Sequence, residues 1–365
     1  MIRFGIVGIG NMGSGHSINI IEGKVPGCVL SAVCDINSAK LDWVKEKHPG
    51  IKTFESAEAM YESGSIDAVI IATPHYDHPP LAMKAFEKNI HVMIEKPAGV
   101  YTKQVREMNE AAAKSKVVFG IMYNQRTDPV YRKMREIVRG GELGELKRTS
   151  WLITNWYRPR AYYKSGDWRA TWNGEGGGVL LNQCPHNLDL WQWICGMPEK
   201  ITAFCHEGKW HDIEVEDDVT AYAEYKNGAT GIFVTSTADA PGTNRFEILG
   251  DLGKLVYEDG KLTFYKLKIS EREFDRTNAI PFGHPEYETL DLKCEGEAPQ
   301  HAGVLRAFVK KINGEGDLCA EGVEGINGLS ISNAMHLSSW LGKTVSVPVD
   351  EDLFLSELNK KRGVA

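Results

Sequence analysis

The chain has 365 residues, enough for two domains, and about a quarter of them are charged, as in ordinary globular proteins. Its net charge of −7 is spread along the sequence without a basic block, so nucleic acid is not an expected partner. No apolar stretch is long enough to span a bilayer, the first residues enter a strand at once so that no signal peptide is expected, and the seven scattered cysteines are never spaced C-x-x-C. They read as reduced, mostly buried thiols of a cytoplasmic protein. In chain order, Ile2–Val7 predicts a strand ending in Gly8-Ile9-Gly10-Asn11-Met12-Gly13, with a helix over Ser14–Glu22. Val29–Cys34 predicts a strand ending in Asp35, and Ser38–Lys47 a helix capped by Ser38. Further helices are expected over Ala57–Ser63, Pro79–Lys88 and Thr102–Lys114, and further strands over Asp67–Ala72, Ile90–Ile94 and Val117–Ile121. Unbroken Val/Ile runs alternating with helices point to a buried parallel sheet covered on both faces.

After Met122 the pattern changes. A helix is expected over Asp128–Arg139 and a strand over Leu146–Ile153. Glu175-Gly176-Gly177-Gly178 leads into a predicted helix over Val179–Cys195. Period-two stretches at Ile201–Cys205, Val219–Tyr225, Gly231–Thr237, Arg245–Leu249 and Lys254–Tyr257 predict a mostly antiparallel sheet with one covered face. Residues 268–298 read as a long irregular excursion, and helices over Gln300–Ile312 and Gly325–Leu341 precede a short tail. The fold class is therefore α/β: an N-terminal Rossmann domain over residues 1–122, and a C-terminal α/β domain with a large open sheet over residues 123–365.

The spacing G-x-G-x-x-G between a strand and a helix marks a dinucleotide site. Gly8 permits a tight turn, Gly10 lets a pyrophosphate approach the backbone, and Gly13 lets the helix pack on the strand. Asp35, at the end of the second strand, is placed to bind a ribose 2′-hydroxyl and repels a 2′-phosphate, which points to NAD. Ligands of parallel sheets sit at the carboxyl ends of the strands, so the loops Gly8–Gly13, Thr73–His78 and Glu95–Ala98 are expected to converge on the cofactor. Lys96, in the third loop, could bind the oxyanion that develops as a hydride leaves a substrate carbinol. Asn182, His186 and Asp189 fall at i, i+4 and i+7 of the predicted helix and would share one face, with His186 as proton acceptor. His75 and His78 have H-x-x-H spacing but no suitable third ligand, so no metal is expected. Residues 151–193 hold six tryptophans and three tyrosines interleaved with Arg158, Arg160, Lys164, Asp167 and Arg169. That mixture suits the apolar faces and hydroxyl ring of a sugar, or else a packed core.

Together, Gly8-x-Gly10-x-x-Gly13-x-x-His16, Glu95-Lys96-Pro97, Trp168-Arg169 and Gly176-Gly177-Gly178-x-Leu180-x-Asn182-x-x-x-His186-x-x-Asp189 resemble the Gfo/Idh/MocA oxidoreductases over nearly the whole chain. The resemblance implies NAD(P)-dependent hydride transfer at a ring carbinol of a sugar, glycoside or cyclitol. It implies Lys96 and His186 as catalytic residues, and a homo-oligomer, dimer, tetramer or higher, built on the open sheet. Asn182 stands where the family often has aspartate; an amide can orient the histidine but adds no charge. The cofactor contacts expected on this basis are Gly8, Gly10, Asn11, Met12, Asp35, Thr73, Pro74, His75, His78, Glu95, Lys96, Gln125, Trp168 and Arg169. The expected substrate contacts are Lys96, Tyr157, Arg158, Trp168, Asn182 and His186. Two other readings remain open: a tightly held NAD used transiently for glycoside cleavage or sugar-to-sugar exchange, and a non-catalytic dinucleotide or sugar sensor.

Overall fold

A computed structural model of the chain describes residues 1–364. They form two compact units, Met1–Asp128 with Ala298–Leu329, and Pro129–Glu297 with Ser330 onward. The sequence reading placed one break after Met122; the structure instead returns residues 298–329 to the first unit.

The first unit opens with β1 (Ile2–Val7), α1 (Asn11–Ile21), β2 (Cys28–Cys34), α2 (Ala39–Lys47), β3 (Lys52–Phe54) and α3 (Ala57–Glu62). It continues with β4 (Ala68–Ile71), α4 (His78–Glu87), β5 (His91–Ile94), α5 (Thr102–Lys114) and β6 (Phe119–Ile121). Its strands run parallel in the order β3-β2-β1-β4-β5-β6. The order reverses beside β1, and the carboxyl ends of β1 and β4 flank that switch point, where such sheets bind ligands. Every residue of β4 is buried, as its unbroken apolar run requires. Ser38 is itself helical and makes no capping bond; the Asn37 side chain accepts from the Ala39 N–H instead. Strand β3 is too short to leave a sequence signal.

The second unit contains α6 (Pro129–Arg139), β7 (Leu146–Ile153), α7 (Arg160–Tyr163), α8 (Pro185–Cys195), β8 (Lys200–Glu207), β9 (Glu216–Glu224), β10 (Thr230–Ser236) and β11 (Asn244–Gly250). Then come β12 (Gly253–Glu258), β13 (Lys261–Leu267), α9 (Glu271–Thr277) and β14 (Tyr287–Leu292). Residues 268–298 are thus not simply irregular: β14 pairs antiparallel with β13. Next, α10 (Gln300–Ile312) belongs to the first unit, and α11 (Gly325–Leu341) is divided between the units after Leu329. The chain closes with β15 (Val345–Ser346) and α12 (Glu351–Arg362), a helix where only a tail was expected. Among the described residues the second sheet has nine strands, in the order β14-β13-β12-β11-β7-β10-β9-β8-β15, and only β7 and β10 pair in parallel.

Packing explains the return of α10 to the first unit. Its Val304, Leu305, Phe308 and Val309 join the core built from Phe4, Ile6, Ile70 and Met93. The Phe308 and Phe4 rings lie 6.1 Å apart. Each such buried side chain contributes about 2 kcal/mol, so the helix is held by several kcal/mol of apolar burial. Arg126, almost fully buried, donates to Glu324 Oε2 at 2.8 Å and ties the same segment from its other end.

Candidate active site

Within the first unit, the three glycines do different work. Gly8 sits at φ +91, and a Cβ there would meet the Ala72 carbonyl oxygen at 2.6 Å. A Cβ on Gly13 would lie 1.8 Å from the Gly8 carbonyl oxygen, so helix and turn can pack only on glycine. A Cβ on Gly10 would meet nothing within 4 Å, leaving open space over the turn. Helix α1 begins at Asn11, three residues before the sequence reading placed it, and no side chain caps it. The first-turn N–H groups, Asn11 and Met12 included, therefore face that space with the helix's positive end.

Asp35 is buried, and its carboxylate accepts from the N–H of Ile9 at 2.8 Å and of Asn37 at 2.9 Å. It thereby fixes the glycine turn to the end of β2. Lys40 Nζ lies 3.4 Å from the same carboxylate, a neighbour the sequence reading missed. With the carboxylate in place, NAD(H) is expected to bind at least about ten-fold more tightly than NADP(H), a difference of about 1.4 kcal/mol. Titration of both dinucleotides measures this, and Asp35→Ala should narrow the gap; tighter NADP(H) binding by the native protein would contradict it.

The other cofactor loops are joined by buried histidines. His78 is fully buried, with Nδ1 2.7 Å from the Pro97 carbonyl and Nε2 2.8 Å from the Thr73 carbonyl. Burial lowers its pKa, against the pull of those two carbonyls and of Glu95 and Asp77. Both ring nitrogens are spent on backbone, so the expected cofactor contact becomes a clamp between two loops. His16, on α1, holds Glu95 Oε1 at 2.7 Å, and both side chains are buried. Burial pushes the Glu95 carboxyl up, but the His16 hydrogen bond and the charges of His16, Lys96 and His301 bring it down to about 2. The Lys96 N–H donates to Glu95 Oε2 at 3.1 Å, so the lysine follows a fixed carboxylate. The His301 ring lies 5.6 Å from that of His16. Its pKa is lowered, first by burial.

Does this unit fit a dinucleotide? The Thr73 hydroxyl and the Gln125 carbonyl oxygen are buried without a hydrogen-bond partner. Buried polar atoms of that kind need a ligand or water. With the open space at Gly10 and the uncapped helix, they fit NAD. Pro74 and His75 start the 3₁₀ turn His75–Asp77 beside Thr73. Among the described residues no group of three His, Cys, Asp or Glu side chains is placed to hold a metal. Cys28, Cys34 and Cys184 are buried, while the other four cysteines are only partly so, fewer buried thiols than the sequence led one to expect.

Within the second unit, α8 starts at Pro185, not Val179, because residues 179–184 form turns. His186 therefore lies in the first helical turn with Asp189 three residues on, but Asn182 precedes the helix and does not share the expected helical face. The buried Glu216 carboxylate shapes the preceding turns by accepting from the N–H groups of Gly178 at 2.9 Å and Leu180 at 3.0 Å. Its pKa is lowered: burial opposes ionisation, but His336 at 3.0 Å and those two N–H groups prevail. Asp189 accepts from Gln192 Nε2 and is buried.

A hydrogen-bonded chain runs through Asn182. The Tyr162 hydroxyl accepts from Arg169 Nη1 at 2.8 Å and from Gln183 Nε2 at 3.2 Å, and donates to Asn182 Oδ1 at 3.1 Å. Asn182 Nδ2 then donates to Glu175 Oε1. The Arg169 guanidinium lies over the rings of Tyr162 at 4.5 Å and Trp168 at 4.6 Å. Arg158 also lies over the Tyr162 ring, at 5.1 Å, and over that of Trp156, at 5.6 Å, while Tyr157 is half exposed. The tryptophan cluster divides: Trp151, Trp172 and Trp191 are core, with Trp151 stacked on Phe246 at 4.2 Å, and Trp156 and Trp168 remain partly accessible.

Comparison with known proteins agrees with this architecture. Residues 2–123 match the oxidoreductase family with NAD-binding Rossmann fold, and residues 131–256 match the GFO/IDH/MocA C-terminal domain. The chain belongs to the Gfo/Idh/MocA oxidoreductase family. It is 31% identical to the rhizopine catabolism protein MocA of Rhizobium meliloti, over 53% of this chain and 57% of that protein. The chain thus matches little more than half the length of that relative. It is 25% identical to the myo-inositol 2-dehydrogenase of Thermotoga maritima over 96% of this chain and 99% of that one. Among solved structures, the WlbA dehydrogenase from Chromobacterium violaceum, in complex with NADH and UDP-GlcNAcA, superposes with a TM-score of 0.81 at 26% identity, covering 96% of each chain.

Membership of this family accounts for the fold and for NAD as the cofactor. It leaves three groups that sequence reading missed: the buried Glu175 and Glu216, and the partly buried His301. Glu175 stands alone before the triple glycine, and Glu216 is one of several acids in Glu214-Val215-Glu216-Asp217-Asp218, so neither carries a spacing signal. His301 sits on α10, which nothing in the primary structure assigns to the first unit. No helix among the described residues is long and apolar enough to cross a membrane.

Proposed function

We propose that the protein oxidises a secondary hydroxyl of a cyclitol, pyranose sugar or glycoside with NAD. When bound, NAD supplies the hydride acceptor. Lys96 binds the alcohol oxygen and stabilises negative charge on it, and His186 accepts the hydroxyl proton. A neutral imidazole on His186 offers a ring lone pair able to take that proton. The single observation that carries the reading is the open, uncapped glycine turn, joined through the His16–Glu95 pair to the Lys96 loop.

The substrate class draws on the relatives: one is named a myo-inositol dehydrogenase, and a structural neighbour is bound to a nucleotide sugar. Arg158, Trp168 and Tyr157 supply partly accessible aromatic and cationic groups suited to such a molecule. Cytoplasmic location and a homo-oligomer built on the open sheet belong to the same proposal. A panel of inositols, pyranoses and aryl glycosides, assayed with NAD, tests it. Appearance of free NADH with at least one of them is the expected result. Turnover without free NADH would favour transient use of a retained cofactor, and no turnover of any member would overturn the dehydrogenase reading.

A further inference from the structure

Glu175 lies outside every role assigned above, yet it terminates the chain that holds Asn182. We propose that Glu175 is a positioning residue for the reaction, its carboxylate fixing the side-chain amide of Asn182 in one orientation. The proposal rests on the reading of Asn182 and His186 as substrate-site residues.

Donor and acceptor chemistry sets the direction of the chain. Arg169 can only donate, so the Tyr162 oxygen accepts from it and from the Gln183 amide. The Tyr162 proton then points to Asn182 Oδ1, and Asn182 must turn its Nδ2 to the other side, where Glu175 Oε1 receives it. A carboxylate is acceptor-only and suits that position; an amide or hydroxyl would allow the chain to reverse. The second Glu175 oxygen accepts the Ala170 N–H at 2.6 Å. Ala170 has φ +58, a left-handed conformation that few non-glycine residues adopt.

The charge environment shows that folding alone does not favour this carboxylate. Burial raises the Glu175 pKa, and Glu216 adds to the rise. The Ala170 N–H, Asn182 and Arg169, whose Nη1 is 3.9 Å away, pull it back, leaving it at about 7. The nearby hydroxyls of Tyr162 and Tyr163 are themselves raised by burial. With a folded pKa above the unfolded value, the folded state binds the extra proton, so stability falls as pH rises from about 4.5 to 7. Ionisation of Glu175 therefore orders Asn182 while weakening the fold.

The test compares Glu175→Gln, Glu175→Asp, Tyr162→Phe and His186→Ala with the native enzyme, on the best substrate of the panel, across pH. Glutamine can accept from only one of the two N–H donors and presents its own NH₂ to the other. It should lower kcat about ten-fold with KM and NADH affinity little changed. It should also remove the component of the acid limb that titrates near neutrality, and Glu175→Asp should restore that component. Tyr162→Phe cuts the chain on the other side of Asn182 and should lower kcat similarly, which keeps the proposal testable should the glutamine variant not fold. Native-like kcat and pH profile in Glu175→Gln, or native-like kcat in Tyr162→Phe, would overturn it. An active His186→Ala would instead overturn the underlying reading of the site.

Discussion

Replacing His186 by alanine should lower kcat by at least about a hundred-fold while leaving NADH affinity unchanged. The reasoning is chemical. Loss of hydride from a carbinol requires the hydroxyl proton to leave, and near neutral pH a positioned imidazole takes it far faster than water does. A methyl group at residue 186 offers no acceptor, and the helix that carries it does not depend on the ring, because Pro185 occupies the first helical position and Leu188, Trp191 and Ile194 hold the buried face. Lys96→Met should show a comparable loss, since its ammonium is the fixed charge that stabilises the developing oxyanion. Steady-state kinetics together with dinucleotide titration separate the two effects. Near-native turnover by His186→Ala would remove the histidine from the mechanism.

The second large effect concerns the glycine turn, where two neighbouring substitutions should fail in different ways. Gly13→Ala places a methyl group 1.8 Å from the Gly8 carbonyl oxygen, backbone against backbone, and should cost the fold about 1–3 kcal/mol, read as a lowered Tm. Gly10→Ala meets nothing within 4 Å, and φ of −85 suits any residue. Its Tm should be unchanged, yet NAD affinity should fall roughly a hundred-fold, about 2.7 kcal/mol, because the methyl group fills the space reserved for the pyrophosphate. Thermal unfolding with and without NAD distinguishes them. A Gly10→Ala protein that binds NAD normally would show that the open space is not the diphosphate site.

The alternation of strands and helices through the first unit was legible because parallel strands are buried on both faces and so read as continuous Val/Ile runs. The glycine spacing and Asp35 were legible for the same local reason. What could not be read was non-local. The apolar face of α10 is visible in sequence, but a helical face does not say which core it will join, and Phe308 joined Phe4. The start of α8 was misplaced because Val179, Leu180 and Leu181 continue the apolar pattern of the helix. Pro185, suited to a first helical position, was the signal overlooked. That error put Asn182 on a helical face it does not share. Glu175 and Glu216 gain their meaning only from burial and from the N–H groups folded around them.

The most direct test uses a substrate from the panel carrying deuterium on the carbon that is oxidised. Direct hydride transfer predicts one equivalent of free reduced dinucleotide per ketone formed, with the deuterium on the nicotinamide ring. Deuterium lost to solvent, or product formed with no net reduction of NAD, would contradict it.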